Sequence, residues 1–302
     1  MGWLTLIVGI GLSVASAVSY FGSRHWRFDL LSNFRWQLSV ALLLCFGIGL
    51  IFPTRVWFAL LLPMILLNLW SIFPLFTTRW GNGSETDTPL RVMSFNVLGS
   101  NRRDAETMEA VRAADADVLI VVEMRPPLAK LLEQTDYPHK HLIPRKDNFG
   151  IALLSRHPFD VITVEGERPI IFAKMMVNEQ PVHIMSVHPW PPVTRECSDK
   201  RDAAIVYFKQ LLDGIDTPII VAGDFNAAVW THPLRDWERR GLKSASYGFG
   251  WRPTWRHHEL RVPALPIDHI LVSEAFIVTE YTVGDSLGSD HRPIIADLLL
   301  RP

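Results

Sequence analysis

Cysteine is nearly missing from this chain, which has only Cys45 and Cys197 in 302 residues. Cys45 lies inside an apolar run and Cys197 in a polar stretch, so they make no disulfide framework and no Cys-rich zinc spacing. Their scarcity neither demands nor excludes an oxidising compartment. Internal repeats, heptad runs and low-complexity tracts are absent too, which removes solenoids and coiled coils. Charge is missing locally: Gly2 to Ser23, Trp36 to Thr54 and Val56 to Thr78 hold no Asp, Glu, Lys or Arg. Each run is about long enough to cross a ~30 Å hydrocarbon core as a helix. Trp3, Tyr20, Trp26, Trp36, Trp57 and Trp70 fall mostly toward run ends, where their rings suit the headgroup region. Pro63 and Asn68 are tolerable inside the third run where neighbouring helices satisfy the freed polar groups.

Ala15-Ser16-Ala17 has the small-x-small form of a signal-peptide cleavage site. No Lys or Arg precedes that run, however, and two further uncharged runs follow. Residues 1–79 are therefore expected to be a three-span transmembrane region, making this a multi-pass protein of a cell (inner) membrane in contact with lipid. Its side stays open. The first loop, with Arg24, Arg27 and Arg35 against only Arg55 in the next, is expected in the cytoplasm with the C-terminal part across the membrane from it. Arg79 and Arg91 pull the other way, toward a cytoplasmic domain.

Residues 80–89, with Gly81-Asn82-Gly83-Ser84, are expected to be a flexible polar linker. From residue 90 to 302 short β runs alternate with a few helices. Strands are expected at 90–97, 117–122, 149–155, 170–177, 181–187, 218–223, 267–272, 277–283 and 293–300, and helices at about 103–114, 126–134 and 196–213. The pattern predicts an α+β domain of two packed sheets covered by helices. Residues 1–79 carry five Arg and one Asp, a net +4, leaving 25 basic and 30 acidic residues, a net −5, for the rest. A domain gripping nucleic acid through counterion release usually has a basic balance, so charge counts against a nuclease.

The remaining signal lies at strand ends. Asn96 closes the first strand and Glu123 follows the second, and an amide oxygen with a carboxylate suits a hard cation such as Mg²⁺. Either alone can equally be a turn residue. Asp224 follows the apolar run Pro218–Ala222, where a carboxylate is costly unless paired, protonated or metal-linked. It is the candidate general base, with Asn226 on the same water or a phosphate oxygen; an Asx turn is the plainer alternative. His188 stands at a strand exit before Pro189. His291 follows Asp290, and Asp268 in another strand can fix its tautomer and favour its charged form. Alternation turns His269 to the opposite face. No Ser or Cys nucleophile context accompanies the set.

Asn96 in Ser-Phe-Asn-Val, Glu123, His188, Gly-Asp-Phe-Asn at 223–226, Ile-Asp-His-Ile at 267–270 and Ser-Asp-His-Arg-Pro at 289–293 occur in a family order. The chain from about Leu90 onward resembles the endonuclease/exonuclease/phosphatase superfamily, which includes deoxyribonuclease I, inositol polyphosphate phosphatases and neutral sphingomyelinases. The resemblance implies a four-layer αββα sandwich and dependence on Mg²⁺ or Mn²⁺. It implies that Asn96 and Glu123 bind metal with Asp290 at the metal side, and that Asp224 activates water with help from Asn226. His188 and His291 would hold the phosphate while Asp268 orients His291. Leu98, where abasic-site enzymes have an acidic residue, and His188, where they have Tyr, place the chain nearer the deoxyribonuclease, phosphatase and sphingomyelinase branches.

Trp190 and the segment Trp251 to His258 add aromatics and arginines near the expected pocket. Trp190, Arg252 and Arg256 are candidate substrate contacts, with Arg195 and Arg261 as further phosphate contacts, although basic loops are commonly just solvated. Such groups suit bases, a lipid headgroup or a membrane interface alike. Three readings follow: a membrane-anchored phosphodiesterase or phosphatase acting on a lipid or small phosphoester, a membrane-bound Mg-dependent nuclease, and a non-catalytic scaffold. No protein partner can be inferred.

Overall fold

The computed structural model describes residues 1–53, 55–164, 168–256 and 263–302. Helix α1 (Gly2–Ser19) is followed by a short α2 (Trp26–Ser32) and by α3 (Arg35–Gly49), which bends 68° away from it. A 3₁₀ segment, Arg55–Leu61, runs into α4 (Leu62–Ile72), and one turn, α5 (Pro74–Thr77), follows. The expectation of three plain spans is corrected here. Among the described residues two segments, Gly2–Ser19 and Arg55–Ile72, are long and apolar enough to cross a membrane, and there are three only if bent α2 and α3 count as one broken span. The bend has a local cause. Ser32 Oγ and Asn33 Nδ2 turn back onto the Asp29 (2.6 Å) and Leu30 (3.4 Å) carbonyls and close α2 there.

Leu6, Leu42, Phe58, Leu61 and Ile65 form the core between α1, α3 and the 3₁₀–α4 segment. The Asn68 Oδ1 accepts there from the hydroxyls of Ser16 (2.8 Å) and Tyr20 (3.1 Å). Ile7, Leu44, Leu60, Leu66 and Trp70 face outward and are exposed, an apolar surface of the kind a bilayer covers. The end of α1, the start of α3 and the end of α4 share one end of this bundle, and the rest of the chain packs against that end. The first loop, with Arg24, Arg27 and Arg35, therefore lies on the same side as the large domain, not across from it. An odd number of crossings returns a chain to the side of its first loop.

The linker is also less free than its composition implies. Trp80 Nε1 donates to the Tyr247 carbonyl (2.9 Å), Ser84 and Asp87 close a turn, and β1 (Thr88–Asn96) has begun by Thr88. After β1 come α6 (Asp104–Ala114), β2 (Val118–Val122), α7 (Pro126–Glu133), β3 (His139–Ile143), β4 (Ile151–Ser155), β5 (Phe159–Val164), β6 (Ile170–Val177) and β7 (Gln180–Val187). The chain continues through α8 (Arg195–Leu211), β8 (Ile219–Asp224), α9 (His232–Glu238), β9 (Lys243–Ser244), β10 (Trp255–Arg256), β11 (Ala264–Leu265), β12 (Asp268–Val272), β13 (Phe276–Val283) and β14 (Ile294–Leu300).

One six-stranded sheet has the order β13-β14-β1-β2-β4-β3 and the other β5-β6-β7-β8-β12-β9. Val92, Ile120 and Leu153 of the first meet Ile184, Ile220 and Ile270 of the second between the sheets. Phe95 and Leu119, one residue out of phase, turn outward onto Met108 and Val111 of α6 and Leu128 of α7. Met185 and Val221 do the same against Phe208 of α8 and Trp237 of α9. Strands covered on both faces read as continuous apolar runs, which is why β2 is Val-Leu-Ile-Val-Val. The result is an α+β sandwich of four layers, αββα.

Candidate active site

Parallel pairing of β1 with β2 sets Asn96 level with Val122, so Asn96 and Glu123 emerge together at one end of the first sheet. In the second sheet, antiparallel β8 and β12 place Asp224 opposite Asp268, with both side chains on the same face. His188 leaves β7 beside them. Gly223 makes that approach feasible: its φ is +145°, and a Cβ there would run into the Val187 carbonyl oxygen. The loop before β14 brings His291, whose backbone N donates to Ser289 Oγ (3.0 Å), while that hydroxyl donates to the Asn96 carbonyl (2.8 Å).

These residues meet in one cleft of about 420 Å³, lined by Glu123, His188, Asp224, Asn226, Asp290 and His291 among others. Asn96 Nδ2 donates to Glu123 Oε1 (3.0 Å) and Asp224 Oδ2 (3.1 Å), tying the sheets together at the floor. Glu123 Oε2 accepts from the Gly99 N–H (2.9 Å), and Asp224 Oδ1 accepts from the Asn226 N–H (2.8 Å). His291 Nδ1 is 2.8 Å from Asp268 Oδ2, and its Nε2 faces Asp224 Oδ2 at 3.6 Å. His188 Nε2 lies 3.6 Å from the same Asp224 oxygen and 3.9 Å from Glu123 Oε1. Leu98, Glu123 and Asn226 all have positive φ (61°, 60° and 50°), backbone strain gathered at the site.

Burial pushes His188 down to about 3, aided by the positive charges of Arg168 and His291, which favours the neutral imidazole. Burial also opposes charge on His291, but Asp268 and Asp224 outweigh it and lift the imidazole to about 10. Burial raises Asp224 to about 7 against the pull of His291. Burial raises Glu123 as well, against the Gly99 N–H and the Asn96 amide, with the Asp290 charge adding to the rise.

The donor set fits a hard divalent cation. Buried Glu123 has Asp290 close enough to repel it, and Asp290 Oδ1 and Asp268 Oδ1 are buried without a hydrogen-bond partner among the described residues. Asp290 Oδ2 is held by Trp255 Nε1 (2.9 Å). Asn96 stands here as a donor to both carboxylates, with its Oδ1 on the Leu98 N–H (3.0 Å), and offers oxygen to an ion only after its amide flips. Asp224, Asp268 and His291 also present ligand atoms within 4.8 Å of one another, though His291 and Asp268 are engaged with each other.

The outer candidates divide. Trp190 stands beside Phe149 (5.3 Å between centroids), which lines the cleft, but does not line it itself. Arg252 is exposed and donates to the Phe249 carbonyl, away from the pocket. Arg256 lines a neighbouring cleft of about 570 Å³ with Arg102 and Arg103. Arg195 pairs with Asp199 in solvent, and Arg261, with His257 and His258, lies outside the described residues. His269 turns away and meets the Ala227 carbonyl (2.9 Å). Two features had no sequence signal. Arg168 sits over the Phe149 and Trp190 rings (3.7 and 3.9 Å) and donates to the His188 and Pro189 carbonyls, fixing the His188 loop. Leu30, Asn33 and Phe34 reach the cleft from the N-terminal helices.

The sequence profile of the Endonuclease/Exonuclease/phosphatase family matches residues 93–291. Among solved structures, a humanized D. rerio TDP2 superposes with TM-score 0.59 at 17% identity, covering 70% of this chain and 98% of that one. An endonuclease/exonuclease/phosphatase from Beutenbergia cavernae superposes with TM-score 0.56 at 20% identity, covering 70% and 72%. The 3′ phosphatase NExo from Neisseria, bound to a product DNA hairpin, gives 0.55 at 17%, covering 68% and 98%. At such identities the likeness is one of fold. No curated protein matches the sequence.

Proposed function

The chain belongs to the Endonuclease/Exonuclease/phosphatase family, and from that premise we propose that it is a membrane-anchored, divalent-metal-dependent phosphoester hydrolase. The observation that supports this reading best is that Glu123, His188, Asp224 and His291 line one cleft, with Asn96 bonded to Glu123 and Asp224 and with Asp268 bonded to His291. Glu123 and Asp290, with Asn96, would hold Mg²⁺ or Mn²⁺, which when bound supplies Lewis-acid neutralisation of charge on the phosphoryl group. Asp224 aligns a water for in-line attack on phosphorus and takes its proton, a role that suits a carboxylate raised to about 7. The support from Asn226 comes through its backbone N–H, because its side-chain amide is spent on the Pro189 carbonyl (3.1 Å). His291, held charged by Asp268, faces the developing phosphoryl charge, and neutral His188 donates a hydrogen bond to it.

The exposed apolar faces of α1, α3 and α4 support anchoring in a bilayer. The net −5 of residues 80–302 favours a lipid or small phosphoester over nucleic acid. The test is the full-length chain in lipid nanodiscs with Mg²⁺, offered plasmid DNA and, separately, a headgroup-bearing lipid. Asp224→Asn and EDTA are each expected to cut turnover at least about 100-fold with the fold intact. Undiminished cleavage by either would remove the role assignments, and nicking of plasmid alone would favour the nuclease reading.

A further inference from the structure

The cleft holding the carboxylates is not built by the sandwich alone. Leu30 and Phe34, at the elbow between α2 and α3, line it together with Pro191, Pro192 and Val193 from the loop after His188. Leu30 and Phe34 are half-buried and Val193 is exposed, so apolar surface adjoins the polar floor. The elbow is fastened to the loop that follows Asp224. Asn33 Oδ1 accepts from the Ala228 N–H (2.7 Å), Trp230 Nε1 donates to the Ser32 carbonyl (2.7 Å), and Arg35 Nη1 donates to the Trp230 carbonyl (3.0 Å). All three bonds are buried. A tether to the membrane would need none of them; what they do is hold an apolar wall in register with the catalytic loop. The elbow also caps the end of the helices whose outer faces are exposed and apolar, so the cleft borders the surface a bilayer would occupy.

Resting on the hydrolase reading above, we infer that Leu30 and Phe34, with Pro191 to Val193, form a subsite for a hydrocarbon group next to the scissile phosphate. The substrate class is then an amphiphilic phosphoester drawn from the bilayer, its chain on the elbow and its phosphate among Glu123, His188, Asp224 and His291. The anchoring segment thereby becomes the specificity-determining part of the active site.

The test uses the full chain in nanodiscs with Mg²⁺ and measures calorimetric affinity for methylphosphonate and hexylphosphonate, both monomeric in water, with empty nanodiscs as blank. Burial of a methylene is worth about fourfold in affinity, so two buried methylenes make hexylphosphonate roughly fifteenfold tighter. Leu30→Gln and Phe34→Gln should each pull that ratio toward one, while Phe34→Leu should keep it and thermal unfolding shows that the variants are folded. Equal affinities in the unsubstituted chain, no binding of either ligand, or a ratio that both Gln variants leave in place would overturn the subsite. A long-chain fluorescent phosphodiester within the nanodisc should be cleaved faster than its soluble methyl analogue; equal rates would overturn the bilayer origin. Because phosphonate binding needs no turnover, failure of hydrolysis removes the enzyme reading while the affinity ratio still decides the subsite.

Discussion

Arg201 sits at the joint between the N-terminal helices and the sandwich, and replacing it by Met tests whether that joint is structural. Its side chain has no exposed surface, and its Nη1 lies 2.6 Å from Asp29 Oδ2, itself 1% exposed. Among the described residues the other basic group at Asp29 is His232, at 3.4 Å from Oδ1, and burial lowers the pKa of that imidazole. Arg201→Met therefore leaves a buried carboxylate with a weak partner, a change that costs about 3–5 kcal/mol. At roughly 2–4 °C per kcal/mol for a chain of this size, the midpoint of unfolding falls by on the order of 10 °C. Asp29→Leu with Arg201→Met removes both charges, and such apolar replacements are near neutral, so most of the loss returns. The cycle should show a coupling of about 3 kcal/mol. Thermal unfolding in nanodiscs, with hydrogen exchange over residues 26–36, measures both. A single variant within about 1 kcal/mol of the parent, or strictly additive losses, would refute the docking of α2 on α8.

Asp268→Asn removes the foremost of the three carboxylates, Asp268, Asp224 and Asp290, that lift His291 to about 10. His291 must be protonated to serve, so activity is lost as pH rises through its pKa, and the alkaline limb of kcat/KM should move down toward ~6.5; an unmoved limb would separate His291 from the chemistry. In the parent enzyme the acid limb should lie at or below about 7, where Asp224 protonates. Arg24, Arg27, Arg35 and Arg79 share the domain's end of the bundle and Arg55 marks the other, so the domain is expected in the cytoplasm. A C-terminal tag should resist protease in intact spheroplasts and be cut in inverted vesicles; the reverse pattern would contradict the count.

The sandwich was legible because its strands are covered on both faces. Val118–Val122 and Ile219–Asp224 read as continuous apolar runs, and the site residues stand at their ends. His139–Ile143 was not legible: it begins His-Lys-His, lies at the sheet edge, and alternates too weakly to signal a strand. His232–Glu238 is short, with Pro233 at its start, and carries too few turns to show a period. The donor set of the pocket followed from residue types at strand ends, and so did the pairing of Asp268 with His291 that favours its charged form. The opposite shift of His188 did not, because it comes from burial and from the nearby Arg168 and His291, which the sequence does not place beside it. The elbow was opaque for another reason. Arg27 and Asp29 beside Leu30, Leu31 and Phe34 look like an ordinary interfacial loop, and the partners that give them structure, Arg201, Ala228 and Trp230, lie about 170 to 200 positions away.

That separation bears on whether residues 80–302 stand alone. Ile72 and Leu75 share a buried cluster with Ala228, Val229, Trp230 and Tyr247, against which Trp36 and Trp251 pack. Trp36 lies flat on Trp251 at 4.8 Å between centroids, and Trp230 stacks on Trp251 at 5.8 Å. Cutting the chain before residue 80 exposes Trp230 and Trp251, each about 150–250 Å² of aromatic surface. It also takes Asp29 from the buried Arg201, leaving it Asp202 alone among the described residues, and removes the elbow from the loop after Asp224. The truncated domain should therefore associate in solution, unfold at lower temperature than the full chain, and lose activity through the displaced Asp224 loop. Size-exclusion chromatography with a melting curve decides the matter: a monomeric fragment, as stable and as active as the intact protein, would mean that the helices merely tether an independent enzyme.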